Sequence, residues 1–189
     1  MHMCGRFSLE PDESKEIWDI VRAVEEKHKA IKTGEIYPSN DVPVIYSPDS
    51  DDIDYDAMTW GFHGFKKGQL LINARSETVT EKKTFAKAFK STRCVFPTTG
   101  FYEWDANKEK FLFTEQDSNA VYLAGFYKRF EDGNRSIILT TAANESMQQV
   151  HDRMPVILPK EFIDQWILDE DFAESFIKQR MPQLVIQRI

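Results

Sequence analysis

Cys4 is the residue with the most pointed chemistry in this sequence. It stands in the opening stretch MHMCGRF, directly after Met3. A start methionine is readily removed before a small residue, so initiation at Met3 would make Cys4 the first residue. A first-residue cysteine carries a free α-amine and a thiol on adjacent carbons. The amine condenses with an aldehyde to an imine, and the thiol then closes a thiazolidine ring. With an ordinary amine pKa of about 7.7–8.0 and a thiol near about 8.5, both reactive forms are expected in part at neutral pH. The same thiol could instead attack an acyl carbon, with its own amine as base. A small buried residue near a chain end is the remaining reading.

Three later stretches also gather polar, charged and small residues where a strand should end. In NARSET, Asn73 and Arg75 are two apart and share one side of a strand. The Asn73 amide could orient a reacting group, Arg75 could grip a phosphate or carboxylate, and Ser76 and Thr78 could add hydroxyl contacts. In GFYEW, Glu103 lies between Tyr102 and Trp104. An aromatic setting raises a carboxyl pKa and suits it to general acid–base work, while the two rings could stack on bases. In HDRMP, His151 could move a proton near neutral pH and Arg153 could bind phosphate. Each of these stretches alone is a weak signal, with ordinary structure as its other reading.

Composition limits the classes open to the chain. Its 189 residues suit one domain with a sizeable core. With 41% hydrophobic and 29% charged residues it reads as globular rather than disordered. No apolar run nears the ~20 residues of a membrane span, and the first residues lack a signal-peptide pattern. Two cysteines, Cys4 and Cys94, exclude a disulfide framework and fit a reducing, cytoplasmic setting. No metal-ligand spacing and no phosphate-binding glycine pattern occur, so no cofactor is expected. The net charge of −7 argues against a broad nucleic-acid-coating surface but not against a small basic groove. Cys94, in RCVFP, reads as a buried small hydrophobe.

The elements that must position these residues are mostly strands. SKEIWDIVRAVEEKHKAI has Ile17, Ile20, Val21 and Val24 at helical spacing, between Pro11–Asp12 and Gly34. A short strand is expected around Val42–Tyr46, and SPDSDDIDYDA as a solvated hairpin turn. Runs rich in aromatic and β-branched residues follow: AMTWGFHGF, LLINARSETV, CVFPTTGFYEW, KFLFTEQ, VYLAGFYKRF, SIILTTAA, MPVILP and QLVIQRI. Helical patterns intervene at KTFAKAFK, ESMQQVH and EFIDQWILDEDFAESFIKQ. The expectation is a single α+β domain over 1–189, with a mostly antiparallel, barrel-like sheet and peripheral helices.

The order MCGRF, NARSET, RCVFPTTGFYEW and TTAANESMQQVHDRMPVIL resembles the SOS-response-associated peptidase (SRAP) family, whose members sense abasic sites in single-stranded DNA. The resemblance runs from Met3 to about Leu158. It implies the SRAP fold and covalent capture of the ring-opened abasic aldehyde as a thiazolidine DNA–protein crosslink, with associated lyase activity. Cys4 then matches the crosslinking cysteine and Asn73 the asparagine beside the abasic sugar. Glu103 matches the carboxylate that assists imine chemistry and reversal, and His151 the histidine that promotes ring opening and β-elimination. Arg6, Arg75 and Arg153 match arginines on the DNA backbone. Trp60, in TWGFHG, matches the tryptophan of the family's WG motif near the bases, and Pro38 a loop proline beside the site. The implied partner is single-stranded DNA bearing abasic sites, with no membrane association and a monomeric protein.

Two departures stand out. With Met1 and His2 attached, Cys4 has an amide nitrogen and no thiazolidine can form, so processing is required. The family continues its WG motif with an apolar residue and proline, whereas this chain reads WGFHGF, which puts His63 near the expected ligand. Two other functions stay open on the residues alone. One is a cysteine peptidase or amidotransferase with Cys4 as acyl nucleophile. The other is a DNA-binding module without chemistry.

Overall fold

The computed structural model describes residues 4–28 and 30–189. The expectation about Met1, His2 and Met3 lies outside them. Among the described residues, fifteen strands and four α-helices follow in order: β1 Phe7–Leu9, α1 Lys15–Lys27, β2 Gly34–Ile36, β3 Asp41–Tyr46, β4 Asp54–Trp60, β5 Phe62–His63, β6 Leu70–Leu71, β7 Asn73–Arg75, α2 Ala86–Ser91, β8 Arg93–Thr98, β9 Gly100–Trp104, β10 Lys110–Glu115, β11 Val121–Phe130, β12 Gly133–Ala142, β13 Arg153–Pro155, β14 Ile157–Leu158, α3 Ile163–Leu168, α4 Glu170–Phe176 and β15 Leu184–Arg188. The chain is α+β as its strand-rich pattern predicts.

Strands β4, β3, β8, β11 and β12 pair in succession, and β12 returns to β4, so the five close into a barrel. Four of these pairings are antiparallel. The closing one is parallel, setting Arg135 against Thr59 and Ser136 against Trp60. The barrel wall can close tightly only because Gly125 has no side chain. A Cβ there would lie 2.3 Å from the Ile137 carbonyl oxygen and 2.7 Å from the Phe96 ring. The second sheet runs β15-β10-β9-β1-β2 and is wholly antiparallel. Glu103 and Trp104 stand on β9, and Cys4 and Arg6 lie in the segment that leads into β1.

Helix α1 buries Ile17, Ile20, Val21 and Val24, the stripe expected from their spacing. Each such side chain contributes roughly 1.5–3 kcal/mol when fully buried. Ser14 accepts from the Ile17 N–H at the start. The helix stops at Lys27, short of the pattern's end, because the next positions on that face are Lys27 and His28. Both turn instead to carboxylates of β4, Lys27 to Asp54 and His28 to Asp56.

Two other helical patterns resolve differently. ESMQQVH forms consecutive turns rather than a helix. The Asn144 side chain there accepts from the N–H and hydroxyl of Ser146 and competes with regular helical pairing. The long C-terminal pattern splits at Asp169, whose extended backbone ends α3 and whose carboxylate caps α4 through the Phe172 N–H. Buried Arg93 ties this region to the barrel. It donates to the carbonyls of Phe89 and Lys90 at the end of α2 and of Trp166 and Ile167 at the end of α3. Those are terminal acceptors that a helix cannot satisfy itself. No helix among the described residues is long and apolar enough to cross a membrane.

Candidate active site

Strand β1 pairs antiparallel with β9, Phe7 against Phe101 and Ser8 against Gly100. Continuing that register carries residues 4–6 alongside 102–104, and the Tyr102 N–H donates to the Arg6 carbonyl at 2.9 Å. Gly100 makes the approach possible. Its φ is +147°, and a Cβ would sit 2.7 Å from the Phe113 carbonyl oxygen. The chain therefore turns sharply out of β8 and delivers Glu103 beneath Cys4.

The Cys4 backbone nitrogen donates to Glu103 Oε1 at 2.5 Å. Cys4 itself adopts a left-handed conformation, φ 44°, and is 1% exposed. Burial pushes its thiol pKa well up, and the negative charge of Glu103 adds to that. The expectation of a partly ionised thiolate is thereby corrected: the thiol is held neutral. Glu103 is 3% exposed, and burial raises its carboxyl pKa. The Cys4 N–H opposes that rise, as does the nearby His151 ring.

His151 is orientated by its own loop. Its Nδ1 accepts the Arg153 N–H at 3.1 Å, so the neutral ring carries its proton on Nε2. The Asp152 carboxylate lies 3.2 Å from the same Nδ1. It becomes a partner only in the protonated ring, because an unprotonated Nδ1 has no hydrogen to give it.

Asn73 enters from β7, which pairs parallel with β12 in register with Ile138. Its Nδ2 is buried and has no hydrogen-bond partner among the described residues. A buried orphan donor is costly, so it marks a place where an acceptor from a ligand would fit. Arg75, on the same side of β7, is exposed, while Ala74 between them is buried.

Around these groups lies a cationic and aromatic patch. The Arg6 guanidinium stacks 3.9 Å from the Tyr37 ring centre and 4.9 Å from that of Trp104. It donates to Glu35 Oε1 at 2.9 Å, and Lys110 reaches the same oxygen at 2.7 Å. Burial pushes the Glu35 carboxyl pKa up, but the hydrogen bonds from Lys110 and Arg6 outweigh it and hold it below the ordinary value. Pro38 sits in the turn after Tyr37. That turn is pinned to the barrel by the Ser39 N–H on the Trp60 carbonyl and the Trp60 N–H on the Asn40 carbonyl.

Three expected contacts stand elsewhere than the surface. Trp60 is fully buried, with its ring 5.1 Å from Phe7 and 6.4 Å from Phe96, and its indole N–H on the Ile72 carbonyl. It packs in the core beside Phe7 and Phe96 and presents no face to a base. Ser76 is buried where its N–H joins the Thr140 carbonyl. Arg153 is buried and held by both carboxylate oxygens of Glu77, at 2.6 and 2.8 Å, so a phosphate there must compete with Glu77. His63 pairs with Asp132 at 2.9 Å. Glu35, Tyr37, Glu77 and Lys110 were not singled out from sequence. The alternation in GEIY, which puts Glu35 and Tyr37 on one side of an extended segment, is the signal that could have found two of them. No group of three or more potential metal ligands occurs among the described residues.

The profile of the SOS response associated peptidase family matches residues 3–186. The chain belongs to that family. The abasic site processing protein YoqW of Bacillus subtilis is 33% identical, over 93% of this chain and 87% of its own. The abasic site processing protein YedK of Escherichia coli is 25% identical, over 89% and 81%. Among solved structures, a protein from Bordetella bronchiseptica superposes with a TM-score of 0.78 at 21% identity, covering 98% of this chain and 99% of that one. One from Bacteroides thetaiotaomicron gives 0.77 at 23%, covering 98% and 92%. These likenesses carry the SRAP fold expected from the sequence.

Proposed function

We propose that this protein, as a single-domain monomer, processes abasic sites in single-stranded DNA and captures them covalently through Cys4. The observation that carries the reading is the Cys4 nitrogen held on the buried Glu103 carboxylate. The substrate comes from family relatives named abasic site processing proteins. Once the residues ahead of Cys4 are removed, that nitrogen is an α-amine rather than an amide. Glu103 is then the carboxylate placed to take a proton from the ammonium.

The steps balance without an outside oxidant or reductant. The neutral amine attacks the C1′ aldehyde carbon of the ring-opened sugar and gives a carbinolamine. Protonated Glu103 returns its proton to the departing hydroxyl, which leaves as water, and an iminium remains. The neutral Cys4 thiol adds its sulfur to the iminium carbon, and its proton passes to Glu103. The product is a thiazolidine, equal in atoms to aldehyde plus aminothiol minus one water. The orphan Asn73 amide donates to a sugar oxygen, and His151 Nε2 assists ring opening. Loss of a C2′ proton from the iminium, with departure of the 3′ phosphate, gives the lyase outcome. Arg6, Arg75 and Trp104 receive the strand. The buried, neutral thiol disfavours the alternative in which a Cys4 thiolate attacks an acyl carbon.

The test uses protein whose intact mass begins at Cys4, incubated with single-stranded DNA carrying one abasic site and run on a denaturing gel. The expected product is a 1:1 adduct lighter than its components by one water and stable without a reductant. Cys4→Ala and Cys4→Ser keep the α-amine but lack the thiol, so each should give only a reducible imine. Absence of any adduct with correctly processed protein would falsify the reading.

A further inference from the structure

An open chamber that Cys4 does not line sits between the end of β10, the β14 segment and the C-terminal helices. Its volume is about 490 Å³, within the roughly 300–1,000 Å³ of small-molecule sites. Phe162, Phe172 and Phe176 form one wall, with Ile157 and Pro159 beside them. The three rings are mutually packed, with centres 5.4 Å apart for Phe162–Phe172 and 5.8 Å for Phe172–Phe176.

Among the described residues, the one carboxylate lining the chamber is Glu115. It has no hydrogen-bond or ion-pair partner among the described residues, and burial followed by the charge of Glu161 pushes its pKa up. The nearby cations are engaged elsewhere. Lys160 pairs with Glu16 at 3.0 Å, and Arg180, at the chamber rim, pairs with Glu145 at 3.2 Å. Aromatic faces attract cations through their quadrupole, and a partly desolvated carboxylate wants a charged donor. An apolar body with one ammonium satisfies both demands.

We propose that this chamber binds a small organic monocation, its ammonium on Glu115 and its aryl or alkyl body against Phe162, Phe172 and Phe176. The site is independent of the abasic-site reading and stands or falls separately. The test is a titration of the full chain, followed by NMR, with 3-phenylpropylammonium, 3-phenylpropan-1-ol and 3-phenylpropanoate. The ammonium should bind with shifts at Ile157, at least tenfold more tightly than the alcohol, and the carboxylate should not bind. Glu115→Gln should weaken the ammonium at least tenfold and leave the alcohol unchanged, whereas Phe172→Ala should weaken both. Equal binding of ammonium and alcohol by the unaltered protein overturns the proposal, and needs no variant to fold. So does undiminished ammonium affinity in Glu115→Gln, or preference for the carboxylate through Arg180.

Discussion

The nitrogen of Cys4 and the carboxylate of Glu103, 99 residues apart in sequence, meet at 2.5 Å where both residues are buried. The β1–β9 register and the Gly100 turn produce that meeting. Its energetic character follows from burial, which holds both the thiol and the carboxyl toward their neutral forms. A carboxylate kept there at neutral pH is costly to stability and useful to chemistry.

Glu103→Gln separates these two effects. A carboxyl whose folded pKa lies above its ordinary value, about 4.3, stabilises the fold fully below that value. It loses the contribution as pH rises through the raised one. The melting temperature of the unaltered protein should therefore fall relative to Glu103→Gln as pH increases across that window. Crosslinking should move the other way. Its rate should rise with pH as Glu103 ionises, and the variant should lose that limb and about 10²–10⁴-fold in rate. Paired thermal and kinetic pH profiles check both; a variant with the same rate limb as the parent would remove Glu103 from the chemistry.

Trp60 and Trp104 should behave oppositely. Trp60 is enclosed by Phe7 and Phe96, so Trp60→Ala leaves a cavity and should cost about 3–5 kcal/mol of stability. Trp104 is half-buried, with the Arg6 guanidinium over its ring. Trp104→Ala should change stability little but weaken single-strand binding by about 1–3 kcal/mol if one base stacks there. Denaturant unfolding and DNA titration on both variants read the difference. Equal losses of DNA affinity at unchanged stability would restore Trp60 to the binding surface.

The strands were largely legible because alternation and β-branched runs are local signals, and α1 was legible because its stripe is four residues on one face. The chemical stretches were legible because reactive residue types clustered at strand ends. What sequence could not give was depth. Trp60, Ser76 and Arg153 have residue types suited to DNA, but long-range pairing puts Trp60 under β1, Ser76 against Thr140 and Arg153 onto Glu77. The break at Asp169 was hidden because both halves of the pattern keep helical spacing, and only the capping geometry divides them. Arg93 gave no signal at all, since its partners are carbonyls of four residues in two helices.

Gly100→Ala should damage fold and site together. The position combines a left-handed φ with a backbone oxygen 2.7 Å from the new Cβ. Strain of about 1–3 kcal/mol adds to a clash with backbone that cannot rotate away. Gly68→Ala is the control, since φ is +80° there but nothing lies within 4 Å. Its cost should be confined to the conformational strain. Chemical denaturation should place Gly100→Ala well below Gly68→Ala, with crosslinking reduced in the first and kept in the second. Comparable stabilities would mean that β9 can shift away from Phe113.

Glu35 holds two cations, Arg6 and Lys110, through one oxygen. Its carboxyl is held below the ordinary value, so its stabilisation is present above that value and lost as pH falls through the lowered one. Glu35→Gln removes a negative charge beside incoming phosphates while keeping the shape of the side chain. Docking of single-stranded DNA should tighten, and log affinity against log salt should steepen by roughly 0.7 for each further phosphate engaged. Arg6 keeps its seat between Tyr37 and Trp104 by stacking, so its direction should survive the loss of the ion pair. Salt-dependent binding isotherms for the parent, Glu35→Gln and Arg6→Gln decide the matter. If Glu35→Gln weakens docking as Arg6→Gln does, the carboxylate aims the guanidinium, and the aromatic sandwich alone does not.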